Sequence, residues 1–502
     1  MSKVLGFCQK HKKGLFFILP VIFGLIFIVL ASLNLNQSIW FDEAYSSYLI
    51  RGNFADIWNA TAFDVHPPLY YFLLKIWSVF FGYSEFALRL MSVFFGAIAI
   101  VLIFKLINRW FGLKAATVAT FLVSISPLII RYGQEMRMYT LAIICVLAAT
   151  LALNSALAKK ERKYFIWYGV FLALGMWTHY FVAFVWIAQL IYLLIVYRKR
   201  NRKFLKDTNI RWAYGTAIAL FLPWLPWLCI QFFVVQIGFW TPPLTMATPL
   251  DFWAESLFTL ESTQVTGWMV ILGLAIVALV IVLFVQWFKK ASKKDRYRLF
   301  LIACMIILPP ALLMLVSMPP LKTLYVTRYV LHSTLFLWAL AGILIVHYYV
   351  KGKKFYKLAA VSLGIGLLGC ATIGLITVET RADKNDIQAL MADVKEANND
   401  QKPILAPTEY IYLDTVHYDS EQTPVYGVNG WYSYYYGAHK TINQYHYHVI
   451  DDLDDFLKNN KIVWLVVDSD NIDREKQNLA NKGYHVIDKI TNEKHSALKL
   501  QK

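Results

Sequence analysis

Cysteine is scarce in this chain, and over most of its length so is negative charge. The five cysteines, Cys8, Cys145, Cys229, Cys304 and Cys370, are scattered, mostly in apolar runs. They show no metal-ligand spacing and no pattern of a disulfide framework. Residues 1–379 hold 13 Asp/Glu against 35 Lys/Arg. Charge of either sign is thin: 16% of the 502 residues are charged and 58% are hydrophobic. With a mean hydropathy of +0.48, the chain is too apolar for an ordinary soluble protein. Internal repeats and low-complexity tracts are also missing, which sets solenoids and biased linkers aside.

What is present is a series of long apolar segments. They run near 14–33, 86–107, 115–130, 138–158, 164–177, 180–197, 212–229, 266–288, 299–316, 329–350 and 356–378. Several approach the roughly 20 residues that span a bilayer as helix. The first follows Lys10, Lys12 and Lys13 but lacks a small-residue cleavage site. It reads as a retained helix rather than a signal peptide.

The net charge of +17 is unevenly placed. Residues 380–502 carry 14 Lys/Arg and 19 Asp/Glu, so the basic excess belongs to the apolar part. Topology explains that excess better than nucleic-acid binding, and no nucleic-acid partner is expected. The basic loops are Lys105/Arg109/Lys114, Lys159–Lys163, Arg198–Arg211, Lys289–Arg298 and Lys351–Lys357. Placing them and the N-terminus in the cytoplasm predicts about eleven crossings of the plasma membrane, with the C-terminal part outside. Residues 67–81 test the scheme. Counted as a crossing, they would put Arg109 and Lys114 on the wrong side, so a juxtamembrane helix at the outer surface is expected there. Pro67-Pro68 would stand at its start, where proline is tolerated.

Two domains follow: residues 1–379, a polytopic all-α membrane domain with juxtamembrane helices, and residues 380–502, a small extracytoplasmic α/β domain. In the latter, helices are predicted over Asp386–Ala397, Asp451–Leu457 and Ile472–Asn481. Strands are predicted over Pro403–Ala406, Ile462–Val467 and His485–Ile490. Tyr432–Tyr436 reads as an aromatic loop.

On the outer side only seven basic residues oppose the charge bias: Arg51, Lys75, Arg89, Arg131, Arg137, Lys322 and Arg328. Ionisable residues at a bilayer edge are costly and often functional. Asp42-Glu43 follows the first apolar segment. Asp64-Val65-His66-Pro67-Pro68-Leu69-Tyr70-Tyr71 closes the first outer loop. Arg131 through Tyr139, including Glu135 and Arg137, forms another turn. Trp177-Thr178-His179-Tyr180 and Thr327-Arg328-Tyr329 complete the set, with Lys322 close before the last. Carboxylates, arginines and histidines beside an apolar wall suit a substrate with a greasy tail and an anionic head.

These motifs, in this order, resemble those of the type C glycosyltransferases, the superfamily of protein O-mannosyltransferases and lipid A aminoarabinose transferases. The resemblance covers roughly residues 14–350. It rests on Asp42-Glu43, His66–Tyr71, Glu85–Leu90, Ser126-Pro127-Leu128 running into Gln134–Tyr139, Thr178-His179-Tyr180 and Arg328-Tyr329. The departure is Val65-His66, where aminoarabinose transferases resemble Glu-Lys before the two prolines. The resemblance implies a GT-C-like fold, a polyprenyl-phosphate sugar donor in the membrane lipid, and an acceptor hydroxyl on a protein, cell-wall polymer or glycolipid. It assigns Asp42 as general base, with Glu43 its neighbour.

A phosphate leaving group needs no protonation, so one carboxylate suffices where a glycosidase uses two. His66, Arg131, Arg137, Lys322 and Arg328 are the candidates for the donor phosphate, through charge-assisted forks in the case of arginine. Asp64, Tyr70, Glu135, Tyr139, His179 and Tyr329 are candidate substrate contacts. No metal or other cofactor is required if these cations hold the charge. Bland roles stay open for some: Arg131 snorkelling to headgroups, His66 as a helix-start residue, His179 as an interface residue. The competing function is a transporter or flippase for lipid-linked sugars, which predicts broken helices and mid-span charges.

Overall fold

Inside hydrocarbon every backbone N–H and C=O must be satisfied within the chain, so runs this apolar form helices. The computed structural model describes residues 12–199, 204–237, 240–259, 266–380, 386–418, 424–428, 448–492 and 494–502. Among them, nine helices are long and apolar enough to cross a membrane. By packing, the chain divides into two units, Met1–Leu35 with Arg89–Thr380, and Asn36–Leu88 with Arg381–Lys502.

The first unit holds the nine spans, apart from the first turn of helix Glu85–Phe111, which belongs to the second. Two of the eleven expected crossings come out differently. The apolar run over 115–130 is not one helix but two, Leu113–Ser124 and Pro127–Gly133, bent by 59°. Pro127 supplies no N–H, and its ring pushes Ser126 to extended backbone, φ −65° and ψ 117°. The run over 164–177 forms a helix of 17 residues, Arg162–Thr178, about 26 Å long, one residue shorter than the shortest of the nine. It packs against helices Tyr139–Lys159 and Thr208–Phe221. The count is therefore nine, or ten with the bent pair as one span.

Small residues let these helices approach. A Cβ on Gly342 would lie 2.4 Å from the Ala119 Cα, which brings helix Leu331–Lys351 against helix Leu113–Ser124. Without a hydrophobic driving force between helices, such close backbone contact is a main source of association in lipid. The span Thr327–Lys351 is the most enclosed of the nine.

The second unit carries a six-stranded sheet: β1 (Ile404–Leu405), β2 (Val425–Val428), β3 (His448–Ile450), β4 (Ile462–Asp468), β5 (His485–Thr491) and β6 (His495–Gln501). Their order is β3-β2-β1-β4-β6-β5. The pairs β3-β2, β2-β1 and β1-β4 are parallel, and β6 lies antiparallel between β4 and β5. β4 is central and buried from Val463 to Val467, as its uninterrupted apolar run requires. Leu405, Leu465, Leu498 and Leu500 pack with it into one core.

Helices Ile387–Ala397, Leu453–Asn459 and Ile472–Ala480 and strands β1, β4 and β5 match expectation within two residues. The Tyr432–Tyr436 loop lies outside the described residues. Helix Glu409–His417 and strands β2, β3 and β6 are additional.

Three helices of residues 36–88 belong to the same unit: Phe41–Leu49, Phe54–Ala62 and Leu69–Phe81. The last has 13 residues, about 20 Å, too short to span. A capping box of Asn53 and Asp56 starts the second.

Candidate active site

Asp42 and Glu43 occupy the first turn of helix Phe41–Leu49, where the helix dipole favours negative charge. The backbone N–H groups of Glu43 and Ala44 both donate to the Trp40 carbonyl, at 2.8 and 2.9 Å, and so set that turn. The two carboxylates differ in environment. Glu43 is fully buried, whereas Asp42 is half-buried.

The far end of this helix is held by Lys75, whose Nζ donates to the Ile50 carbonyl at 3.1 Å. Its start is held from the C-terminal residues. Tyr418 accepts from the Ile39 N–H at 2.7 Å and donates to Glu85 Oε1 at 2.6 Å. His417 places Nε2 3.4 Å from the same oxygen and Nδ1 3.5 Å from Ser47 Oγ. Burial and the hydrogen bond to Glu85 push the Tyr418 phenol pKa upward, so it stays a donor. Phe41 and Tyr410 rings meet at 4.5 Å. In the same unit, Asp64 Oδ2 lies 3.4 Å from His66 Nδ1, and Tyr70 is fully buried.

The remaining candidates belong to the membrane unit. Helix Pro127–Gly133 carries Arg131, whose Nη1 donates to the Thr259 carbonyl at 3.1 Å. Arg137 is 1% exposed, and its carbonyl accepts from Ser92 Oγ at 3.2 Å. Glu135 is also buried, its carbonyl taking the Arg137 N–H at 2.7 Å. His179 gathers two other motifs: its ring lies 6.1 Å from Tyr139 and 5.0 Å from Tyr329. Arg328 is buried, with its guanidinium 5.2 Å over the Trp240 ring.

Arg131 and Arg328 line one cavity of about 330 Å³. Arg137 and Lys322 are absent from that lining, and Lys322 is exposed, its backbone N–H donating to Gln236 Oε1 at 3.1 Å. Besides Thr327, the lining holds residues that sequence reasoning passed over: Asp251, Glu255, Tyr325 and Trp240. Thr327 donates to Glu255 and lies 3.2 Å from the Tyr325 hydroxyl. Burial raises the Asp251 pKa. Asp251 and Glu255 sit four apart on helix Thr248–Phe258, hence on one face. That spacing, in a chain so poor in acid, was the available signal. Among the described residues no three His, Cys, Asp or Glu side chains converge as a metal-ligand set.

The cavity thus joins cations suited to a phosphate with carboxylates, hydroxyls and an indole suited to a sugar. Comparison with known proteins bears on this. The structure of ArnT from Cupriavidus metallidurans bound to undecaprenyl phosphate is similar with a TM-score of 0.62 at 13% identity, covering 95% of this chain and 97% of that one. The apo ArnT of the same organism gives 0.61 at 12% identity, covering 97% and 98%. The fold is that of the type C membrane glycosyltransferases. Residues 65–227 match the family described as dolichyl-phosphate-mannose-protein mannosyltransferase, which contains His66, Arg131, Arg137 and His179. No curated protein sequence matches the chain. The similarity to ArnT extends over both units of the chain.

Proposed function

We propose that the protein transfers a monosaccharide from a polyprenyl-phosphate donor to a hydroxyl of an extracytoplasmic acceptor, which is a protein, a cell-wall polymer or a glycolipid. The active site and the C-terminal domain face outward in this reading, supported by the basic loops on the opposite side. The observation that carries the proposal is the cavity in which Arg131 and Arg328, distant in sequence, meet beside two carboxylates.

Asp42 takes the proton of the acceptor hydroxyl as its oxygen attacks the sugar's anomeric carbon. The bond from that carbon to the phosphate oxygen breaks, and the electron pair leaves with the polyprenyl phosphate. In-line attack inverts the anomeric centre. Arg131 and Arg328 stabilise the charge growing on the phosphate through guanidinium donors that cost no reorganisation. Arg137 and His66 are further candidates for the donor phosphate, and Asp64 lies 3.4 Å from the His66 ring. Water then takes the proton from Asp42. The chain's own cations serve the leaving group, so the proposed mechanism includes no metal.

The test is transfer by purified protein from labelled polyprenyl-phosphate sugars. Asp42→Asn is expected to lower kcat by about 10²–10⁴-fold with donor binding retained. Normal turnover by this variant would remove Asp42 as the base. The bent pair Leu113–Ser124 and Pro127–Gly133 is the one feature favouring lipid-linked sugar transport. Movement of intact donor across vesicles without any glycosylated product would support that function instead.

A further inference from the structure

A second cavity lies at the opposite end of the membrane unit. Helix Tyr139–Lys159 starts beside Arg137 and is about 30 Å long, and helix Lys293–Val316 runs back towards Thr327. Where the former ends and the latter begins, a cavity of about 430 Å³ opens between them. We propose that it binds the headgroup of an anionic phospholipid from the leaflet at that end.

Charge carries the argument first. Lys293, Lys294 and Arg298 line the cavity, and no carboxylate does. The acids at this end are already partnered, and Asp295 offsets the charge of Arg298, which leaves Lys293 and Lys294 as the cations that carry the site. Asp295 accepts from Arg298 at 3.1 Å and from Ser292 at 2.9 Å. Asp207 accepts from the Tyr197 hydroxyl at 2.8 Å and caps its own helix, and Glu161 pairs with Lys163 at 2.7 Å. Lys293 and Lys294 form no ion pair among the described residues. Lys199, 5.8 Å over the Tyr297 ring, adds a further cation.

The lining is also two-sided in the way a lipid is. Leu157 and Leu301 supply an apolar wall for the glycerol and first acyl carbons. Asn154 accepts from Trp110 Nε1 at 2.9 Å, which leaves its amide hydrogens to a phosphate oxygen. Two basic side chains at a membrane surface each add attraction to an anionic lipid. Lysines that merely snorkel into water require neither the apolar wall nor the amide.

The experiment uses the full-length protein in detergent micelles supplied with phosphatidylglycerol, phosphatidylcholine or inorganic phosphate. Retained lipid is counted by native mass spectrometry, and Tm is followed in parallel. Phosphatidylglycerol is expected to be retained and to raise Tm; the other two are not. Lys293→Gln with Lys294→Gln should weaken that retention roughly tenfold. Leu157→Trp, which fills the cavity and keeps the charges, should weaken it as well. The control pair Lys353→Gln with Lys354→Gln, exposed at a neighbouring helix junction, should bind as the parent does.

The site is overturned if the double variant binds phosphatidylglycerol like the parent, or if the control pair loses as much. Equal retention of phosphatidylcholine overturns the anionic selectivity. A Tm rise reproduced by inorganic phosphate overturns the lipid as its occupant.

Discussion

Asp42 and Glu43 are adjacent in sequence but unlike in surroundings, and residue chemistry follows from that. Asp42 keeps the partial exposure an acceptor needs, while Glu43 is enclosed. Glu43→Ala is expected to cost about 1–3 kcal/mol of stability, because it abandons buried partners, read as a fall in Tm. Arg328→Lys exchanges a planar fork over Trp240 for a point charge, and should lower kcat/KM by roughly 10²-fold or more in the transfer assay. For Asp251 the sign follows from burial. Its raised folded pKa means that the fold favours the neutral form more than the unfolded chain does, so stability is lost as pH rises from the unfolded carboxylate value through the folded one. Asp251→Asn should therefore gain Tm over the parent progressively across that acid range and hold the gain above it. A Tm difference that does not change with pH would remove burial as the cause. Arg131 and Arg328 were legible in the sequence as outward cations against a strong charge bias. Asp251 and Glu255 were not singled out, because their four-residue spacing gains meaning only once the helix Thr248–Phe258 is placed against Arg131 and Arg328.

At the scale of elements, helix Phe41–Leu49 owes its placement to contacts from residues more than 350 positions later. Tyr418→Phe removes the donor to Glu85 and the acceptor for Ile39 N–H, and should cost about 1–3 kcal/mol in stability. If those bonds also position Asp42, kcat falls while the donor KM is unchanged. Equal kcat in the variant would confine Tyr418 to a structural role. In the membrane unit, Gly342→Ala would force a Cβ to 2.4 Å from the Ala119 Cα, a backbone atom that cannot turn aside. It should destabilise by about 1–3 kcal/mol through separation of the two helices. Most helices were legible from apolar length. The break at Pro127 was not, since hydrophobicity continues across it while the backbone does not. Helix Glu409–His417 was also missed, because its apolar face is short and its partners are remote in sequence.

At the scale of the whole molecule, the basic loops and the acidic outer residues predict one orientation. Tyr83→Cys, at an exposed position beside helix Leu69–Phe81, should react with a membrane-impermeant maleimide from outside intact cells. Lys353→Cys should react only after the membrane is opened. Reversal of the two would overturn the proposed outward-facing site. Membrane embedding, the approximate limits of the spans, the α/β character of the C-terminal part and the motifs of a type C glycosyltransferase were determined by sequence alone. Hydrophobicity and charge act locally along a chain and leave their record there. Only the tertiary structure decided that Arg131, Asp251, Glu255 and Arg328 line a single cavity while Lys322 does not, and that residues 36–88 pack with the C-terminal unit. Those outcomes depend on how helices cross and on backbones that approach through small residues, which no local window of sequence contains.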